Sequence, residues 1–215
     1  ISWPMIELRI GDWKRVYVPE KVIKENHLKG LSFTENEIKN KLESIQDVIK
    51  KLRGISFEQV SKEIIIETLE KLKEILEYYN YFDTSYSEGI YEKDANDSRA
   101  IVIEQSKNVI RDDFDYIFFR ENGLLEKLIK SISVLTEIDV WKIRWYRIGE
   151  VKKLIDKNEE ISSNEIELRK KSCVFDRNNL GKISFLSGNE AEFFIKKFEK
   201  ELEKQATAIL KGVIA

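Results

Sequence analysis

One cysteine and one histidine stand in a chain of 215 residues. Cys173 alone excludes an internal disulfide framework and any multi-cysteine zinc site. His27 alone would have to carry any histidine-based triad, metal cluster or phosphohistidine relay within the chain. The prolines are Pro4 and Pro19 only, so no later proline interrupts a long helix. No apolar run approaches the ~18 residues that cross a bilayer, and no basic stretch leads into an apolar one at Ile1. No sign of charge dominates either. The 37 Lys and Arg against 39 Asp and Glu leave a formal charge of −2, which speaks against nucleic acid or a membrane surface as partner. The cytoplasm is the expected location. What is abundant is hydrophobic (42%) and charged (35%) residues, enough for a core beneath a solvated surface. Beginning at Ile1 and ending on Val213-Ile214-Ala215, the chain reads as a piece of a longer protein.

The pattern predicts a mainly α fold, with antiparallel helices forming a bundle-like body, a small N-terminal β element and a short β-hairpin near residues 173–186. Residues 1–33 form a small β or irregular element in which Ile6, Leu8, Ile10, Val16 and Val18 flank Gly11-Asp12. Residues 34–160 form the helical body. Thr34 and Glu37 fit a capping box, followed by Ile38, Leu42, Ile45, Ile49 and Leu52 at helical spacing. Gly54 stops that helix and Ser56 caps the next, whose stripe runs Val60, Ile64, Leu69, Leu72, Ile75, Leu76 and Tyr79. A turn or short helix near Glu88 to Tyr91 precedes helices over 98–119 and 124–135. Trp141, Trp145 and Ile148 then recur at core spacing, ahead of Val151, Leu154 and Ile155. Residues 161–215 comprise a helix from Ser162 or Ser163, the hairpin and a last helix from Glu190 to about Lys204, from which Leu210-Lys211-Gly212 breaks away.

Few side-chain groupings promise chemistry. His27, among Lys24, Glu25, Asn26 and Lys29 before Gly30, reads as a surface residue at a helix end. Asp112 and Asp115 share a helix face but lack the further oxygen donors that a hard cation needs, so an arginine-paired surface is the better account. Asp94, Asn96 and Ser98 imitate the start of a calcium loop, which fails because Arg99 stands where glycine is required and Gln105 where glutamate is. Cys173 reads as a buried small hydrophobe on a strand. Gly181 to Gly188 lacks the spacing of a phosphate-cradling loop. Arg144, Arg147 and Arg169 are the candidates for holding a phosphate or carboxylate.

The C-terminal order is specific. A short helix over Ile161 to Arg169, the hairpin through Gly181-Lys182-Ile183-Ser184-Phe185-Leu186, Ser187-Gly188-Asn189-Glu190-Ala191, a charged helix and then Leu210-Lys211-Gly212-Val213-Ile214-Ala215 succeed one another. This order resembles the stretch upstream of the swivelling phosphohistidine domain in phosphoenolpyruvate-utilising enzymes, the phosphoenolpyruvate synthase and pyruvate phosphate dikinase group. Tyr81-Phe82-Asp83 and the segment from Trp141 to Leu154 are similar to the helical linker before that junction; residues 1–33 carry no resemblance. The resemblance implies a parent protein in which ATP, with Mg2+, phosphorylates a histidine on a mobile domain beyond Ala215. No catalytic, cofactor-binding or metal-binding residue carries over to this chain.

The leading expectation is therefore a non-catalytic helical connector that positions the phosphohistidine domain, with neighbouring domains of the same polypeptide as partners. One alternative is an independent α-helical interaction or dimerisation module, a homo-oligomer in that case. A second is an anion-binding domain using Arg144 and Arg147.

Overall fold

The computed structural model describes residues 5–10, 13–18, 20–57, 60–78, 89–90, 93–94, 96–177 and 183–212. These are mainly helical and include one small antiparallel sheet. The chain divides into two compact units, one made of residues 1–22 with 161–215 and the other of residues 23–160. The helical unit is thus inserted into a unit built from both ends of the sequence.

In the split unit, β1 (Met5–Ile10) and β2 (Trp13–Tyr17) pair antiparallel within the expected N-terminal β element; Gly11 and Asp12 between them lie outside the described residues. β3 (Ser172–Arg177) and β4 (Ile183–Ser187) form the expected hairpin; its connecting residues, 178–182, lie outside the described ones. The two pairs are one sheet. β1 pairs antiparallel with β3 from Met5↔Arg177 to Ile10↔Ser172, giving the order β2-β1-β3-β4. Alternation along a strand states which side chains share a face but not which distant strand is the partner, so this pairing is invisible in the local pattern.

Residues 1–33 are not wholly β or irregular, because Glu20–Ser32 forms helix α1. Its buried positions Val22, Asn26 and Gly30 lie four apart, yet only one bears an apolar side chain, so no apolar period announces the helix.

In the helical unit, α2 (Glu35–Arg53) begins as expected. The Thr34 Oγ1 accepts the Glu37 N–H at 3.3 Å, and Glu37 Oε2 accepts the Thr34 N–H at 2.7 Å. Ile38, Leu42, Ile45, Ile49 and Leu52 are buried, joined by Val48. α3 (Lys62–Tyr78) starts later than Ser56 predicts: Ser61 Oγ accepts the Ile64 N–H at 3.4 Å, and the Ser61 carbonyl accepts from Ile65. Ile65, not Ile64, is in the core with Leu69, Leu72 and Ile75; Leu76 is among the exposed hydrophobics. Ile65 stands four residues before Leu69 and seven before Leu72, on their stripe, whereas Ile64 stands five before Leu69 and falls off it. Of the segment before the next helix, Glu88 and Tyr91 lie outside the described residues, whereas Ile90 is buried.

α4 (Ser98–Phe118), α5 (Leu124–Thr136), α6 (Val140–Ile143) and α7 (Ile148–Lys157) also belong to this unit. The core expected of Trp141, Trp145 and Ile148 is not there. α6 is only four residues long, Arg147 is extended (φ −77°, ψ 154°), and Trp141 and Ile148 are exposed. A 3.6-residue stripe holds only along a continuous helix, and this one is broken. Ile143 from α6 and Val151, Leu154 and Ile155 from α7 are buried instead.

α8 (Ser163–Lys171) is capped by Ser162, whose hydroxyl accepts the Glu165 N–H at 3.1 Å. α9 (Gly188–Gly212) starts directly after β4 and continues through Leu210, Lys211 and Gly212, which do not break away from it.

Candidate functional site

The segment that carries the C-terminal resemblance is built around β3, β4 and the helices flanking them. Pleating sends Cys173, Phe175, Phe185 and Ser187 to one face, and Val174 and Leu186 to the other. α8 serves the first face. Arg169, only 4% exposed, sets its guanidinium carbon 4.7 Å from the Phe185 ring centre, and its Nε donates to Glu165 Oε1 at 2.7 Å. The Ser187 hydroxyl donates to the same carboxylate, 3.1 Å from each oxygen. Phe185 itself pairs across the ladder with Phe175 at 4.8 Å between ring centres.

α9 serves the second face, where Ala191 and Ile195 are buried with Val174. Where strand passes into helix, Gly188 has φ +57°, and a Cβ on it would stand 2.5 Å from Leu168 Cδ2. The positive φ favours glycine, and a Cβ would also require the Leu168 side chain to shift. Ser172, fully buried at the start of β3, donates from Oγ to the Gly188 carbonyl at 2.9 Å. On the surface, Lys171 pairs with Glu192 at 2.9 Å, and this hydrogen bond holds the Glu192 carboxyl below its ordinary range.

With one carboxylate accepting from two donors and a buried guanidinium lying on an aromatic ring, this cluster fixes shape and presents no free nucleophile or general base. Cys173 is buried on its strand, as expected. Of the cluster, Arg169 alone stands out as a candidate in the sequence. Glu165 four residues before it is the signal that could have found the pair; the contacts of Ser172 and Ser187 depend on tertiary placement and have no local signature.

Arg144 and Arg147 lie in the helical unit, whereas Arg169 belongs to the split unit. Arg144 Nη2 meets Glu126 Oε2 at 2.5 Å. Arg147 donates through Nε and Nη2 to Glu150 Oε1 at 2.9 and 2.5 Å, while its backbone N–H donates to Glu150 Oε2 at 2.8 Å. An anion would have to displace a glutamate at either arginine.

The other groupings read at sequence level are surface structure. Asp113 pairs with Arg53, and Asp115 with Arg120 at 2.8 Å. Asp94 Oδ1 accepts the Asn96 N–H at 2.9 Å. His27 is not at a helix end: it lies well inside α1, half-buried, with Gly89 against its backbone so closely that a Cβ there would stand 2.4 Å from the His27 Cα. Among the described residues, no three His, Cys, Asp or Glu side chains gather as a metal site, and no helix is long and apolar enough to cross a membrane. No family model, curated protein or solved structure matches this chain.

Proposed function

We propose that the chain is a non-catalytic connector in a phosphoenolpyruvate-utilising-like phosphotransferase and sets the path of a swivelling phosphohistidine domain. The observation that carries this reading is α9. It is anchored on the sheet through Ala191 and Ile195 and runs without interruption to Gly212, through the Leu210-Lys211-Gly212 run with which the resemblance ends. Its 25 residues amount to roughly 38 Å at the α-helical rise. A stiff arm of that length restricts where an attached domain travels, which a flexible tether of equal contour does not.

ATP and Mg2+ belong to other domains of the parent in this reading. The sequence has no phosphate-cradling glycine spacing, and among the described residues no three His, Cys, Asp or Glu side chains gather. No step through them is assigned to this chain. The test is the coding sequence downstream of Ala215. A Ser-Pro-Gly turn leading into a histidine-bearing, β-rich domain is the expected result; a stop codon or an unrelated domain contradicts the proposal.

A second reading, the α-helical interaction module, is favoured by large apolar side chains at the surface of the helical unit, Val134 at 82% and Phe119 at 72% exposure. Sedimentation over a range of concentrations decides it, with a concentration-dependent mass in its favour and a monomer throughout against it.

A further inference from the structure

No residue separates Ser187 at the end of β4 from Gly188 at the start of α9, so the change of direction from strand to helix falls on the backbone at Gly188. Gly188 is the one glycine with a positive φ among the described residues. The packing of Ala191 and Ile195 on Val174, with Leu186, Phe194 and Phe198 against them, presses α9 toward the sheet, but apolar burial has no preferred direction and sets the angle less sharply than a hydrogen bond at the junction. Hydrogen bonds do have direction. Two side-chain hydrogen bonds bracket the glycine: Ser172 Oγ to the Gly188 carbonyl at 2.9 Å, and Ser187 Oγ to Glu165 at 3.1 Å. The Lys171–Glu192 pair is a surface contact with 59% and 32% of its side chains exposed, too solvated to set the angle.

We infer that Gly188 is a locked pivot: the Ser187 hydroxyl, bonded to Glu165 on α8, fixes the strand side, the Ser172 hydroxyl, bonded to the Gly188 carbonyl, fixes the helix side, and without them α9 swings while the strands stay paired. The inference rests on the geometry within the split unit and holds with or without a carrier domain beyond Ala215.

Spin labels at Val16→Cys on β2 and Lys200→Cys on α9 read the angle as a distance in the full chain; both sites are exposed and belong to the split unit, and buried Cys173 stays unlabelled. With the hydroxyls in place, one narrow distribution is expected. With Ser172→Ala and Ser187→Ala together, the width should grow about twofold. Amide exchange at Phe193, Phe194 and Ile195, in the first hydrogen-bonded turn of α9, should rise about tenfold, with β3 and β4 protection unchanged. An unchanged width, a distribution already broad before substitution, or strand amides released together with those of α9 would each overturn the pivot. If the double variant does not fold, Ser172→Ala alone is judged by the same outcomes.

Discussion

Asp97 and Arg99 show how much one residue pair organises in the helical unit. Asp97 Oδ1 accepts the Arg99 backbone N–H and its Nε, both at 2.9 Å, while Oδ2 accepts from Nη2 at 2.6 Å. Arg99 Nη1 then donates to the carbonyls of Leu31 and Phe33 at 2.9 Å each, tying the start of α4 to the link between α1 and α2. The Arg99 guanidinium holds the Asp97 carboxyl at about 2, from an ordinary value of 3.8. Because the folded state lowers this value, its contribution is complete above the unfolded value and is lost as pH falls from about 4 toward 2. Asp97→Asn should flatten the stability profile across that window by at most about 2 kcal/mol relative to the parent chain, as read by urea unfolding at a series of pH values. At Arg169 the ordering of two substitutions is diagnostic. Glu165→Ala, which leaves the buried guanidinium without its carboxylate, should destabilise by about 2 to 3 kcal/mol, and Arg169→Met, which removes the charge and keeps the volume, by clearly less. Equal effects in thermal or urea unfolding would mean that the pair is not what holds α8 to the hairpin.

The elements differ in how plainly the sequence announces them, and capping shows why. α2 is legible because the Thr34 and Glu37 box and the stripe behind it are local and agree, and the Thr34 N–H and hydroxyl, both donating to Glu37 Oε2, hold its carboxyl below its ordinary range. α3 has two candidate caps. Ser61→Ala should lower stability by about 1 kcal/mol and Ser56→Ala by almost nothing, a difference that chemical denaturation resolves; the reverse order would place the helix start at Ser56. α1 is illegible because Asn26 and Gly30 occupy two positions of its buried stripe. The break between α6 and α7 is equally hidden, since Trp141, Trp145 and Ile148 keep helical spacing across residues that are not one helix. Of the candidate site, the hairpin and its order before α9 could be read, whereas the contacts of Ser172 and Ser187 could not, being set by tertiary placement.

On the scale of the whole molecule, the sheet joins the first residues of the chain to its last third, with the helical unit between them in sequence. The β1 amides should therefore exchange with the same slow rate and the same denaturant dependence as those of β3, and independently of α2 and α3. Native-state hydrogen exchange that groups β1 with the helical unit would contradict the split arrangement. The proposed connector role makes the stiffness of α9 consequential, because an arm that does not bend keeps a domain attached beyond Gly212 at a high local concentration along one path. The most direct measurement replaces residues 203–209, within α9, by seven glycines and serines in the full-length parent. It then tracks transfer of labelled phosphate from ATP to histidine by rapid quench. A rate about tenfold below that of the unaltered protein, with acid-labile label on a histidine beyond Ala215, is the predicted result; an unchanged rate, or no label on any histidine, would contradict the connector account.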